Sequence, residues 1–158
     1  MSGNASNDVE PRILGDRPSN YAGDVSAEEA WRVLGENPQA VLIDVRTRAE
    51  WSYVGLPDLT PVGKEPLLAE WQTFPTMAVN AAFSGDVAAA LGAERKDVPV
   101  LFLCRSGARS KAAAVALTAQ GFSRCYNVAG GFEGDLDQDR HRGHRNGWKA
   151  AGLPWAQG

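Results

Sequence analysis

The run Val98-Pro99-Val100-Leu101-Phe102-Leu103 passes without a spacer into Cys104-Arg105-Ser106-Gly107-Ala108-Arg109-Ser110-Lys111 and then into an alanine-rich stretch ending at Gln120. A short apolar run of this kind reads as a strand buried on both faces. Pro99 is tolerated because it lies at the start, where no ladder donor is lost. Arg109–Gln120 reads as a helix closed by Gly121, with apolar Phe122 after it. A buried strand feeding straight into a helix belongs to a sheet of parallel strands joined by crossovers. The remaining signals agree. Ala40-Val41-Leu42-Ile43-Asp44-Val45 is a second buried strand, and Arg124–Val128 a third. Ser26-Ala27-Glu28-Glu29 is a capping box that starts a helix bearing Trp31, Val33 and Leu34, with Gly35 or Asn37 as its stop. A further helix is predicted near Asn80–Leu91, ending at Gly92. Helix and strand alternate, so the fold class is α/β: one domain with a central, mostly parallel sheet flanked by helices.

The 158 residues suit one domain, predicted over 24–155. Residues 1–20 are rich in Ser, Asn, Gly and Pro and are expected to be mobile. Between Arg46 and Phe83 the pattern is less regular. Leu67–Phe74 reads as a strand, while Pro57, Pro61, Pro66 and Pro75 break up any long helix. A formal charge of −3 supplies no strong net field, so neither nucleic acid nor a membrane is an expected partner. The apolar stretches fall far short of the ~20 residues of a membrane helix. The first residues lack the apolar core of a signal peptide, and a cytoplasmic location is expected. Cys104 and Cys125 are too few for a disulfide framework.

The segment from Leu101 to Lys111 carries chemistry. Open α/β sheets place ligands at the carboxyl ends of their strands. A loop wrapped over a helix start points several backbone N–H groups at one spot, an anion cradle. Gly107 lets the backbone take a turn that a side chain would block. Arg105 and Arg109 add two cations. Free cysteine titrates near ~8.5, and helix starts with cationic neighbours bring reactive thiols to about 3.5–7.5. Such surroundings favour the thiolate, which is the nucleophile. A core cysteine, the plainer alternative, needs neither two arginines nor a glycine turn.

Cys104-Arg105-Ser106-Gly107-Ala108-Arg109-Ser110 resembles the active-site loop of single-domain rhodaneses. Leu42-Ile43-Asp44-Val45-Arg46-Thr47 resembles the strand and Asp-Val-Arg signature that precede it. Val128-Ala129-Gly130-Gly131-Phe132 is similar to that family's Gly-Gly segment, and Gly147–Pro154 to its C-terminal ending. The resemblance covers about 24–155 and keeps the motif order. It implies transfer of a sulfane sulfur from a small anionic donor such as thiosulfate, through a Cys104 persulfide, to a thiol, cyanide or carrier-protein acceptor. It implies that Arg105, Ser106, Gly107, Ala108 and Arg109 hold the donor and the persulfide. Asp44 and Arg46 become a supporting pair, and Trp51 a candidate pocket wall. No metal or organic cofactor is expected, because sulfur itself is the cargo. Cysteine phosphatases and arsenate reductases on the same fold enclose five residues between nucleophile and arginine. Cys104 and Arg109 enclose four, and a tighter ring suits one sulfur atom better than a phosphate. A non-catalytic module for binding or for carrying persulfide is the third reading. The usual Gly-His-Ile…Gly-Ala stretch after the Asp-Val-Arg signature is replaced by Trp51–Leu59 and a proline-punctuated segment.

Other features read as structural. Cys125 is expected in the core rather than as a resolving thiol. Asp135-Leu136-Asp137-Gln138-Asp139 lacks the glycine and the final acid of a calcium loop. His141 and His144 sit among arginines in a solvated or steering basic patch, not a metal site. The five tryptophans are expected mainly in core and rim packing.

Overall fold

The structure is a computed structural model that describes residues 10–157. Five parallel strands form the central sheet: β1 (Gly23–Val25), β2 (Val41–Asp44), β4 (Leu67–Leu68), β7 (Val100–Leu103) and β8 (Cys125–Val128). Their spatial order is β1-β8-β7-β2-β4, so β7 lies at the centre. Two short antiparallel pairs sit outside it. β3 (Leu56–Pro57) pairs with β9 (Trp155–Ala156), and β5 (Gln72–Thr73) with β6 (Ala78–Val79).

Alternation along the strands splits the core in two. Leu42, Leu101, Leu103, Tyr126 and Val128 face α1 (Ala27–Glu36) and Trp148 of α5 (Gly147–Ala150). Ile43, Val100, Phe102, Cys104 and Cys125 face α3 (Phe83–Leu91) and α4 (Ala108–Ala119). Both faces are covered, which is why these strands carry unbroken apolar runs. The α/β class and the parallel sheet are as the sequence predicts.

Several details differ. β1 is a strand of three residues that is not among the strands predicted from the sequence. Ser26 does cap α1, accepting from the Glu29 N–H at 3.0 Å. The Glu29 carboxylate turns instead to the Arg12 backbone N–H and the Arg32 guanidinium. The strand expected over 67–74 is two strands. The chain between them stays tied to β2 and its continuation through Ala69 and Trp71, whose N–H groups donate to Asp44 and Val45 at 3.1 Å each. It then turns away into the β5–β6 hairpin. α3 begins at Phe83 because Asn80 accepts from the backbone N–H groups of Ala82 and Phe83 just ahead of it. α2 (Arg48–Tyr53) opens with a full capping box from Thr47 and Glu50.

The mobility expected of 1–20 falls partly on residues 1–9, which lie outside the described residues. From Glu10 to Leu14 the chain lies on the domain. Tyr126 donates to Glu10 at 2.9 Å, and Leu14 bonds to Asp24 at 2.7 Å. Among the described residues no helix is long and apolar enough to cross a membrane.

Candidate active site

Cys104 follows the last residue of β7 and shares the parity of Val100 and Phe102. Its side chain therefore points to the α4 face, beneath the helix start. Its Sγ accepts from the Gly107 N–H at 3.1 Å and lies 3.2 Å from the Ser110 hydroxyl oxygen, whose one proton goes to Asn127. The Ser110 oxygen also lies 2.5 Å from Asn127 Oδ1. Asn127 in turn donates to Asp24 at 3.0 Å, and Tyr21 donates to the same carboxylate oxygen at 2.8 Å. A polar chain thus runs from the sulfur across β8 to β1. The N–H groups of the first turn of α4 have no carbonyl a turn earlier to bond, which leaves donors facing the loop. Cys104 itself is 1% exposed.

The loop is clamped from the far side. The Phe132 N–H donates to the Cys104 carbonyl at 2.7 Å, and the Glu133 and Gly134 N–H groups reach the Arg105 carbonyl at 3.0 and 3.1 Å. Gly131, at φ +67°, lies so close that a Cβ would stand 2.5 Å from the Arg105 carbonyl. Gly107, at φ +116°, has the Ala129 carbonyl oxygen 2.4 Å from where its Cβ would be. Both positions require glycine by conformation and by space.

A cleft of about 500 Å³ opens over this loop. Arg105, Ala108 and Arg109 form its floor side, Glu50 and Val54 of the α2 region one wall, and Gln72 and Met77 of the hairpin another. Glu133 and Arg142 complete it. Cys104 is not in the cleft wall; it lies below the loop residues that are. Trp51, expected as a wall, is not there either. α2 turns Glu50 and Val54 toward the opening, and the Trp51 indole N–H is buried with no hydrogen-bond partner among the described residues.

Arg109 is not free. Glu50 holds it with both oxygens, Nη1 to Oε1 at 2.6 Å and Nη2 to Oε2 at 2.9 Å. Burial pushes the Glu50 carboxyl up, but the bonds from Arg109 and Thr47 outweigh it and hold the group below the usual carboxylate range. Asp44 and Arg46 form a fully buried pair, with Arg46 Nη2 2.7 Å from Asp44 Oδ2. The same nitrogen donates to the Gly55 carbonyl at 2.7 Å, and the guanidinium carbon lies 4.2 Å from the centre of the Phe132 ring. This pair joins β2, the end of the α2 segment and the Gly-Gly segment. Burial pushes the Cys125 thiol up to about 12, and its Sγ points to the Phe122 carbonyl in the core.

Glu50, Ser110, Asn127, Glu133 and Arg142 were not singled out from the sequence as site residues. Glu50 was signalled by Thr47-Arg48-Ala49-Glu50, a capping-box spacing that fixes a carboxylate one turn into a helix. Arg142 comes from the basic patch. It donates to the Gly134 carbonyl at 2.7 Å, while His144 leans on Asp137 at 3.2 Å, outside this cleft. Asp137 is spent on the Asp139 and His141 N–H groups. Among the described residues no cluster of metal-ligating side chains occurs.

Fold and site define an α/β protein with a cysteine loop at the carboxyl edge of a parallel sheet, consistent with a rhodanese-like fold. The family model described as the STR4 middle domain matches residues 22–158, and the chain belongs to that family. The crystal structure of Rv0390 from M. tuberculosis is similar, with 47% identity and a TM-score of 0.77 over 87% of this chain and 99% of that one. The solution structure of a polysulfide-sulfur transferase homodimer from Wolinella succinogenes shares 26% identity and a TM-score of 0.53, over 85% of this chain and 77% of that one. An uncharacterised protein of Rickettsia prowazekii is 45% identical over 62 residues, 39% of this chain and 45% of that protein. One of Rickettsia conorii is 48% identical over 56 residues, 35% of this chain and 40% of that protein. The matches thus span under half the length of these curated relatives.

Proposed function

We propose that the protein is a sulfurtransferase of the rhodanese kind, working through a Cys104 persulfide. The observation that carries this reading is the sulfur of Cys104 lying within hydrogen-bond reach of the Gly107 N–H and the Ser110 hydroxyl, at the start of α4. The polysulfide-sulfur transferase among the similar structures supports the same kind of chemistry. In the first half-reaction the Cys104 thiolate attacks the outer sulfur of a small anionic donor. A new S–S bond forms, and the donor's own S–S bond breaks, its electron pair leaving with the donor remnant. With thiosulfate the remnant is sulfite. In the second, a thiophile such as cyanide takes the outer sulfur as thiocyanate and frees the thiolate. The Gly107 N–H stabilises the negative sulfur at both stages. Arg105 and Arg142, on the cleft wall, attract the anion.

Cys104 is buried, so the donor reaches it when the outer side chains of the loop part. That burial is the one observation favouring a second reading, a rhodanese-like module that carries no sulfur. Intact-mass measurement separates the two. Protein exposed to thiosulfate and to a panel of persulfides and polysulfides should gain the mass of one sulfur. Cyanide should remove it, and Cys104→Ser should never acquire it. Failure to gain sulfur from every donor refutes the sulfurtransferase reading.

A further inference from the structure

The arginine that closes the loop already has an anion. Glu50 meets both terminal nitrogens of Arg109, and only 16% and 20% of the two side chains remain exposed. The Thr47 backbone N–H and hydroxyl both donate to Glu50 Oε1 at 3.1 Å, and Thr47 returns the contact by capping the Glu50 N–H at 3.2 Å. Glu50 is therefore fixed at the end of a built hydrogen-bond set and is not a passing surface contact. Glu133 brings a second carboxylate to the same cleft.

A donor that ends in an oxyanion binds an arginine as Glu50 does, with two oxygens against two N–H groups. That geometry on Arg109 is taken. A persulfide, R–S–SH, presents sulfur without an oxyanion head and has no need of it. We infer that Glu50 sets donor choice: its carboxylate occupies the oxyanion seat on Arg109, disfavouring thiosulfate relative to a low-molecular-weight persulfide. This rests on the sulfurtransferase reading. The step balances. The Cys104 thiolate forms a bond to the outer sulfur of R–S–SH, the R–S bond to that sulfur breaks, and its electron pair and the proton leave as R–SH.

The test compares Cys104 loading by intact mass from thiosulfate and from the persulfide of 2-mercaptoethanol, a thiol without charge. The readout is the ratio of kcat/KM for the two donors. Glu50→Gln and Glu50→Ala should each raise the thiosulfate-to-persulfide ratio at least about ten-fold, through a lower thiosulfate KM, because one fixed like charge is removed beside the incoming anion. Glu50→Asp keeps the charge and should move the ratio by less than about three-fold on the same reasoning. A general loss of fold or of loop shape lowers both donors together and cannot produce the rise. A ratio unchanged or lowered in both Glu50→Gln and Glu50→Ala overturns the assignment. Absence of loading from both of these donors and from the wider panel in the unaltered protein is a different result: it removes the sulfurtransferase reading itself and this inference with it.

Discussion

Replacing Asp44 by Ala leaves the Arg46 guanidinium sealed in the protein with no counter-ion. Both side chains are 0% exposed, so water cannot take the carboxylate's place. Removing one partner of such a pair costs about 3–5 kcal/mol. A domain of this kind is stable by roughly 5–15 kcal/mol in all, so the variant loses between a fifth and all of its margin. At about 2–4 °C per kcal/mol, Tm falls by roughly 6–20 °C. Converting both residues together, as Asp44→Leu with Arg46→Met, removes the orphan charge as well as the pair. The double variant still leaves the Arg46 N–H without its Asp44 acceptor and the Gly55 carbonyl without its donor, but should cost less than Asp44→Ala alone. Urea unfolding followed by tryptophan fluorescence measures both, with the slope against urea checking that the unfolded state is unchanged. A loss under about 1 kcal/mol for Asp44→Ala, or a double variant worse than either single one, would show that the pair is not the isolated buried unit its geometry implies.

Two further outcomes are expected. Gly107→Ala forces a Cβ to 2.4 Å from the Ala129 carbonyl oxygen at φ +116°; it should cost at least about 2 kcal/mol in thermal unfolding and abolish sulfur loading of Cys104. Cys125 titrates up at about 12 instead of 9.0, burial being the chief cause. The folded protein thus keeps a proton that the unfolded chain loses, so this stabilisation is complete below pH 9 and is lost as pH rises toward 12. Tyr21 and Tyr126, also pushed up to about 12 by burial, act in the same direction. Cys125→Ala should therefore flatten the decline of the urea-derived unfolding free energy between pH 9 and 11, by about 2 kcal/mol. An unaltered slope would refute it.

The parts legible in the sequence were those where one local pattern had one physical solution. Val100–Leu103 could only be a central strand, and the glycine after Cys104 could only serve a turn. Asp44 and Arg46 came forward as a supporting pair only through the resemblance to single-domain rhodaneses, not from their spacing. What was hidden depended on chain segments meeting across the fold. Glu50 lies 59 positions from Arg109, and no local pattern announces that the two face each other. The hairpin that brings Gln72 and Met77 to the cleft is built from two-residue strands, too short to give a period. Trp51 was misplaced because α2 is only six residues long, and one step along a helix turns a side chain by about 100°.

The clamp laid by Phe132, Glu133 and Gly134 on the carbonyls of Cys104 and Arg105 makes the shape of the cysteine loop non-portable. The cysteine heptapeptide supplies Cys104, but its curvature is held by a stretch of chain that follows α4 and β8 in sequence. Grafted onto the start of some other helix, those seven residues would keep their chemistry and lose their shape. The shape of the loop is thus a property of the whole domain and not of the heptapeptide.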